Sequence, residues 1–234
     1  MKHPASVVTL GLVFAILGCA TPSKPLVSAT MSKSEQQSLA PKDVIALLKA
    51  GNDRFAKGES TPRDLLAQVK ATASGQYPMA VVLSCLDSRI PVETVFDRGI
   101  GDLFVARVAG NFENTDILGS MEFATKVAGA KLIVVLGHTQ CGAVKGACDG
   151  VQMGNLTSTL ANITPAVDAS KVTGDRSSKN PAFVADVTHA NVEQTVADIT
   201  ARSPVLKELV DSGKLAIVGG IYDLETGVVQ WFNP

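Results

Sequence analysis

The chain has 234 residues, with 21 basic and 22 acidic side chains and a formal net charge of −1. That length supports one domain with a sizeable core. The balanced charge argues against a nucleic-acid partner, which requires a basic face, and no apolar run is long enough to span a bilayer.

Residues 1–18 read as a signal peptide, with a basic start at Lys2 and an apolar stretch from Val7 to Leu17 that is too short for a spanning helix. Ile16-Leu17-Gly18-Cys19 resembles a bacterial lipobox, in which the cysteine becomes the lipidated first residue of the mature protein. The alternative is an ordinary signal peptide that happens to contain a cysteine. Ala20 stands where an aspartate would retain a lipoprotein at the inner membrane. By resemblance to sorted lipoproteins, this implies a lipid anchor at Cys19 on the periplasmic side of the outer membrane. Residues 19–40 are rich in Ser, Thr, Pro and Lys and lack an apolar period, so they are expected to form a flexible tether. The folded domain is then 41–234.

Within that domain, helical spacing of Val44, Leu47, Leu48 and Phe55 predicts a first helix from Pro41, and "DLLAQVKATASG" a second. A strand is expected near Met79–Ser84. "PVETVFDRG" reads as a short helix or turn, and "DLFVARVA" as a buried strand. "ILGSMEFATKVAG" reads as a helix, "KLIVVLG" as the third strand, and "QCGAVKGACDG" as the start of a helix from about Gln140. Three more helices follow at "NLTSTLANI", "PAFVADVTHANVEQTVADITAR" and "SPVLKELVDSG". "KLAIVGGIYDL" and "GVVQWF" close the chain as a hairpin-like pair. Alternating strands and helices define an α/β fold with a mostly parallel sheet covered by helices on both faces. Such a sheet binds ligands beyond the carboxyl ends of its strands.

Two apolar strands end on reactive groups: "SCLDSRIP" carries Cys85, Asp87, Ser88 and Arg89, and "GHTQCGA" carries His138 and Cys141. Two thiolates and an imidazole brought together suit a zinc ion with one open position. A thiol nucleophile with a histidine base, or buried structural cysteines, are the competing readings. Four cysteines in a chain of this length make a disulfide framework unlikely; a Cys141–Cys148 bond is not expected. His189, in a polar helical stretch, reads as a solvated residue, and Gly99 and Gly101 as turn residues.

The pattern Cys85-Leu86-Asp87-Ser88-Arg89 followed by His138-Thr139-Gln140-Cys141-Gly142 resembles the β-class carbonic anhydrases. The likeness extends to "GDLFVARVAGN", "SMEFA" and "IVGGIYDLETGVV". It implies one zinc per chain held by Cys85, His138 and Cys141, and an Asp87–Arg89 catalytic dyad. Asp87 would itself ligate the metal only in a closed form. It also implies an antiparallel strand added to the parallel sheet, and assembly as a homodimer or dimer of dimers. The implied reaction is reversible hydration of carbon dioxide to bicarbonate and a proton. A related hydrolase of carbonyl sulfide or carbon disulfide and a non-catalytic zinc module are the alternatives. Where relatives often carry tyrosine this chain has Phe123. At Asp97-Arg98-Gly99 it departs from the pattern in which some relatives place a substrate-contacting glutamine.

Overall fold

The computed structural model describes residues 25–232. The expected signal peptide over 1–18 and the expected lipidation site Cys19 lie outside them. Among the described residues no helix is long and apolar enough to cross a membrane.

The centre of the fold follows from its most apolar segments. β1 (Ala80–Ser84) and β3 (Leu132–His138) are buried at every position. Strands buried on both faces carry continuous apolar runs, as "AVVLS" and "LIVVLGH" do. β2 (Leu103–Arg107), β4 (Ala216–Tyr222) and β5 (Val229–Phe232) complete a five-stranded sheet in the order β2-β1-β3-β4-β5. Pairing is parallel except for β4 with β5, the expected antiparallel addition.

Side chains alternate between two cores. Ala80, Val82, Leu132, Val134 and Leu136 face one, and Val81, Leu83, Ile133 and Val135 face the other. α2 (Pro41–Ala56) and α6 (Gly142–Cys148) pack on the first; α5 (Thr115–Glu122) and α10 (Pro204–Asp211) pack on the second. α9 (Pro181–Arg202) contributes Phe183 and Val187 to the first and Val192 and Ile199 to the second. α2 begins at Pro41 as predicted, with Asp43 Oδ2 accepting from the Ala40 amide at 2.9 Å. It buries Val44 and Leu48 fully and leaves Leu47 and Phe55 half-buried.

Four expectations are corrected. β2 is an edge strand, not a buried one: Phe104, Val105 and Ala106 are half-buried and Arg107 is exposed. Its apolar residues face both cores only partially, so composition overstated its burial. The segment expected to be a flexible tether up to residue 40 is hydrogen-bonded to the domain from Val27 onward, although most of it is exposed. The Val27 amide donates to Pro62 O at 2.9 Å, and α1 (Lys33–Ser38) inserts Gln36, whose Nε2 donates to Pro78 O at 2.7 Å and Ala128 O at 2.9 Å. Buried hydrogen bonds of a glutamine leave no apolar period to read. The helix expected over "ILGSMEFATKVAG" changes to a π-helical turn at Phe123–Val127, closed by Gly129 at φ 84. α8 (Thr164–Ala169), between α7 (Gly154–Ala161) and α9, was not foreseen; only Ala166 of it is fully buried, which leaves a weak periodic signal.

Candidate metal centre and active site

Cys85 directly follows β1, and His138 is the last residue of β3. These are neighbouring parallel strands, with Ser84 in register with Leu136, so their carboxyl ends lie side by side. Cys141 reaches the same point by a turn. Gln140 takes φ 58, in the left-handed region, and the chain re-enters a helix only at Gly142 with Cys141 as N-cap. The helix expected from Gln140 therefore starts two residues later, because the turn that returns Cys141 toward His138 is incompatible with a helical Gln140. The Cys85, His138 and Cys141 donor atoms lie within 4.8 Å of one another, and all three residues are buried. It is the only such group of three His, Cys, Asp or Glu among the described residues. The two sulfurs are 4.0 Å apart. Two thiolates bonded at about 2.3 Å to one tetrahedral ion lie roughly 3.8 Å apart, so the spacing fits a shared metal.

The donors also fit chemically. His138 Nδ1 lies 2.9 Å from Thr139 O; since a carbonyl only accepts, Nδ1 carries the proton. Nε2 is then the lone-pair nitrogen, and it is buried without a hydrogen-bond partner. The neighbouring Cys141 thiol holds the Cys85 pKa low. Cys141 is pushed up by its bond to Cys85, by burial and by the Cys85 charge. A dication bound there would favour the thiolate form of both cysteines.

Asp87 stands beside this cluster, with Oδ2 4.0 Å from His138 Nε2. Its hydrogen bonds from the Arg89 side chain hold its carboxyl well below the usual carboxylate range. Arg107, at the end of the adjacent edge strand, donates from Nε to Cys85 O at 2.9 Å and from Nη2 to Asp87 O. It thus braces the loop that carries Cys85 and the Asp87 carboxylate. Ser88 is exposed in a turn closed by the Ile90 amide on Asp87 O at 3.2 Å, as expected of a turn residue.

The remaining singled-out residues lie elsewhere. Phe123 is exposed and packs edge-on against Phe104 at a 6.3 Å centroid distance. Asp97 is buried and paired with Arg54 at 2.6 Å and Arg63 at 2.5 Å. His189 is exposed on α9, as expected, with its ring stacked on Phe232 at 4.4 Å and facing Glu193 at 3.3 Å. Cys148 is free and partly buried, as expected. Arg107 and the Gly110 amide, which donates to Cys85 Sγ at 3.4 Å, escaped the sequence reading. A basic residue in an apolar strand was the only trace of the former; a backbone donor leaves none.

The carbonic anhydrase family model matches residues 80–229. Carbonic anhydrase 2 of Mycobacterium tuberculosis is 39% identical over 182 residues, covering 77% of this chain and 87% of the relative. A carbonic anhydrase of Mycolicibacterium smegmatis is 37% identical over 185 residues, covering 78% and 89%. Among solved structures, a β-carbonic anhydrase of Aspergillus fumigatus superposes with a TM-score of 0.62 at 26% identity, covering 82% of this chain and 91% of that one. The fold, with a Cys-His-Cys cluster at its strand ends that could hold a metal, is thus that of an α/β enzyme, and the chain belongs to the β-class carbonic anhydrase family.

Proposed function

We propose that the protein catalyses reversible hydration of carbon dioxide to bicarbonate and a proton, with one zinc per chain on Cys85, His138 and Cys141. The observation that carries this reading is the convergence of those three buried donors beside an ionised Asp87, in a chain of this family. Zinc held there supplies a Lewis acid that makes water nucleophilic near neutral pH. The chain's own groups do the rest. Asp87 is acceptor-only when ionised and fixes the orientation of a water that donates to it. Arg89 holds both carboxylate oxygens, and without that restraint Asp87 is free to turn onto the cluster and close it. Arg107 keeps the loop from shifting. Buried Cys85, His138 and Cys141 form a dry floor in which these charges act strongly. The test is carbon dioxide hydration by purified, zinc-loaded protein, run alongside carbonyl sulfide and carbon disulfide. Turnover of only the sulfur compounds would assign the related hydrolase; zinc binding with no turnover would assign a non-catalytic module.

The proposal extends to location and assembly. Lipidation at Cys19 would hold the protein on the periplasmic side of the outer membrane, and the lipobox-like Ile16-Leu17-Gly18-Cys19 supports this. Acyl chains on the wild type that disappear in Cys19→Ser are the expected result; an unacylated, freely soluble wild type overturns it. Among the described residues the outer edge of β2 has no strand partner, which supports a homodimer or dimer of dimers, since an unpaired strand edge is an open row of donors and acceptors. Light scattering after size exclusion measures this directly.

A further inference from the structure

The thiolate of Cys85 receives a hydrogen bond whose geometry is set from the far side of the core. After β2 the chain turns over the end of β1, with the Val108 amide on Ser84 O at 3.2 Å and the Asn111 amide on Val108 O at 3.0 Å. Gly110 takes φ 88 in this turn, and a Cβ there would come within 2.4 Å of Ile163 Cδ1. The close, left-handed backbone directs the Gly110 N–H at Cys85 Sγ, 3.4 Å away. The same residue's carbonyl accepts from Asn191 Nδ2 at 2.8 Å. Asn191 lies on α9, is 3% exposed, and is 81 residues away in sequence.

We propose that Asn191 is a positioning residue for the metal. By fixing the Gly110 carbonyl it holds the turn so that the Gly110 amide points at the Cys85 sulfur. An amide donating to a metal thiolate withdraws charge from sulfur, which leaves the ion a stronger Lewis acid; hydrogen bonds around a ligand tune the metal in this way. An apolar residue at 191 would leave the Gly110 carbonyl buried and unpaired, so the turn would rotate to satisfy it and the amide would leave the sulfur.

This inference rests on Cys85 being a metal ligand, and the test separates the two. Wild type, Asn191→Ala and Asn191→Ser are loaded with cobalt, and the sulfur-to-cobalt charge-transfer band is recorded. Serine is too short to reach the carbonyl but keeps a polar group in the space. Thr195→Val, on the same helix with its hydroxyl bonded only to Asn191 O at 2.8 Å, controls for general damage to α9. The expected result is a shift to longer wavelength in both Asn191 variants and none in Thr195→Val, whatever their melting temperatures. The midpoint of the hydration pH profile, measured with zinc, should rise in the same two variants. In wild type loaded with cadmium-113, the Gly110 amide proton should couple to the metal through the sulfur. If wild type shows no thiolate band at one equivalent of cobalt, the metal reading itself fails. If it shows the band but the Asn191 variants leave it unmoved, or if no coupling to Gly110 is found, the positioning role is wrong and the metal site stands.

Discussion

Arg89 grips Asp87 three times. Its Nε donates to Oδ1 at 2.9 Å, its Nη2 to Oδ2 at 2.7 Å, and its backbone amide to Oδ1 at 3.0 Å. A two-residue spacing makes the fork possible: the loop turns at Ser88, so the guanidinium folds back on the carboxylate just before it in the chain. The arginine side chain is 56% exposed, and an isolated pair of that exposure contributes little to stability. Its effect is on geometry, because bidentate pairing fixes both oxygens of the carboxylate.

Arg89→Ala should therefore cost activity and not folding. Positioned acid–base groups contribute about 100-fold or more, so a fall of at least that order in carbon dioxide hydration is expected, with zinc content unchanged and the melting temperature nearly so. Stopped-flow rates and metal analysis on the same sample check it. An Arg89→Ala enzyme that keeps zinc and wild-type rates would show that the dyad does not act this way.

Cys141→Ser should lose the metal. The serine hydroxyl does not ionise readily, and a site with three protein ligands depends on each of them. Zinc content after dialysis is the readout; one retained equivalent per chain would mean that Cys141 is not a ligand.

The sequence made the site easier to read than its surroundings. Cys85, Asp87, Arg89, His138 and Cys141 end apolar strands, where a reactive side chain contradicts its context and so stands out. β1 and β3 were legible because burial on both faces forces an unbroken apolar run. β2 misled for the same reason, since its apolar residues belong to an edge strand. Residues 27–39 were hidden because they are held by a backbone bridge at Val27 and by the amide of Gln36, and neither shows in hydropathy. The turn at Gln140 was hidden because a left-handed residue other than glycine carries no mark in sequence.

Gly51 sits inside α2, where glycine ordinarily weakens a helix. Here a Cβ would stand 2.0 Å from Phe96 O, so the helix and the segment after α4 (Val92–Val95) touch backbone to backbone. Gly51→Ala should destabilise the protein despite its better helix propensity, by about 1–3 kcal/mol as overpacking does. Urea unfolding measures it; a variant as stable as wild type would mean that the two elements separate without cost.

Asp97 provides a pH-dependent test of the core. Burial alone would raise its pKa, but hydrogen bonds from Arg63, Arg54 and Thr61 reverse that and hold it at about 2, against an ordinary value of 3.8. A depressed folded-state pKa adds stability that is fully present above the unfolded value and is lost as pH falls through the folded one. The window is therefore roughly pH 5 down to pH 2, and the total is about 2 kcal/mol at 1.36 kcal/mol per unit. Asp97→Asn cannot ionise and carries none of this dependence. The gap in stability between wild type and Asp97→Asn should be constant from pH 7 to about 5 and then narrow by about 1 kcal/mol by pH 3. Metal loss and protonation of other carboxylates affect both proteins alike and cancel in the difference. Urea unfolding of the pair at pH 7, 5 and 3 reads it, and a gap that stays the same at pH 3 would show that the arginines do not hold Asp97 in its charged form.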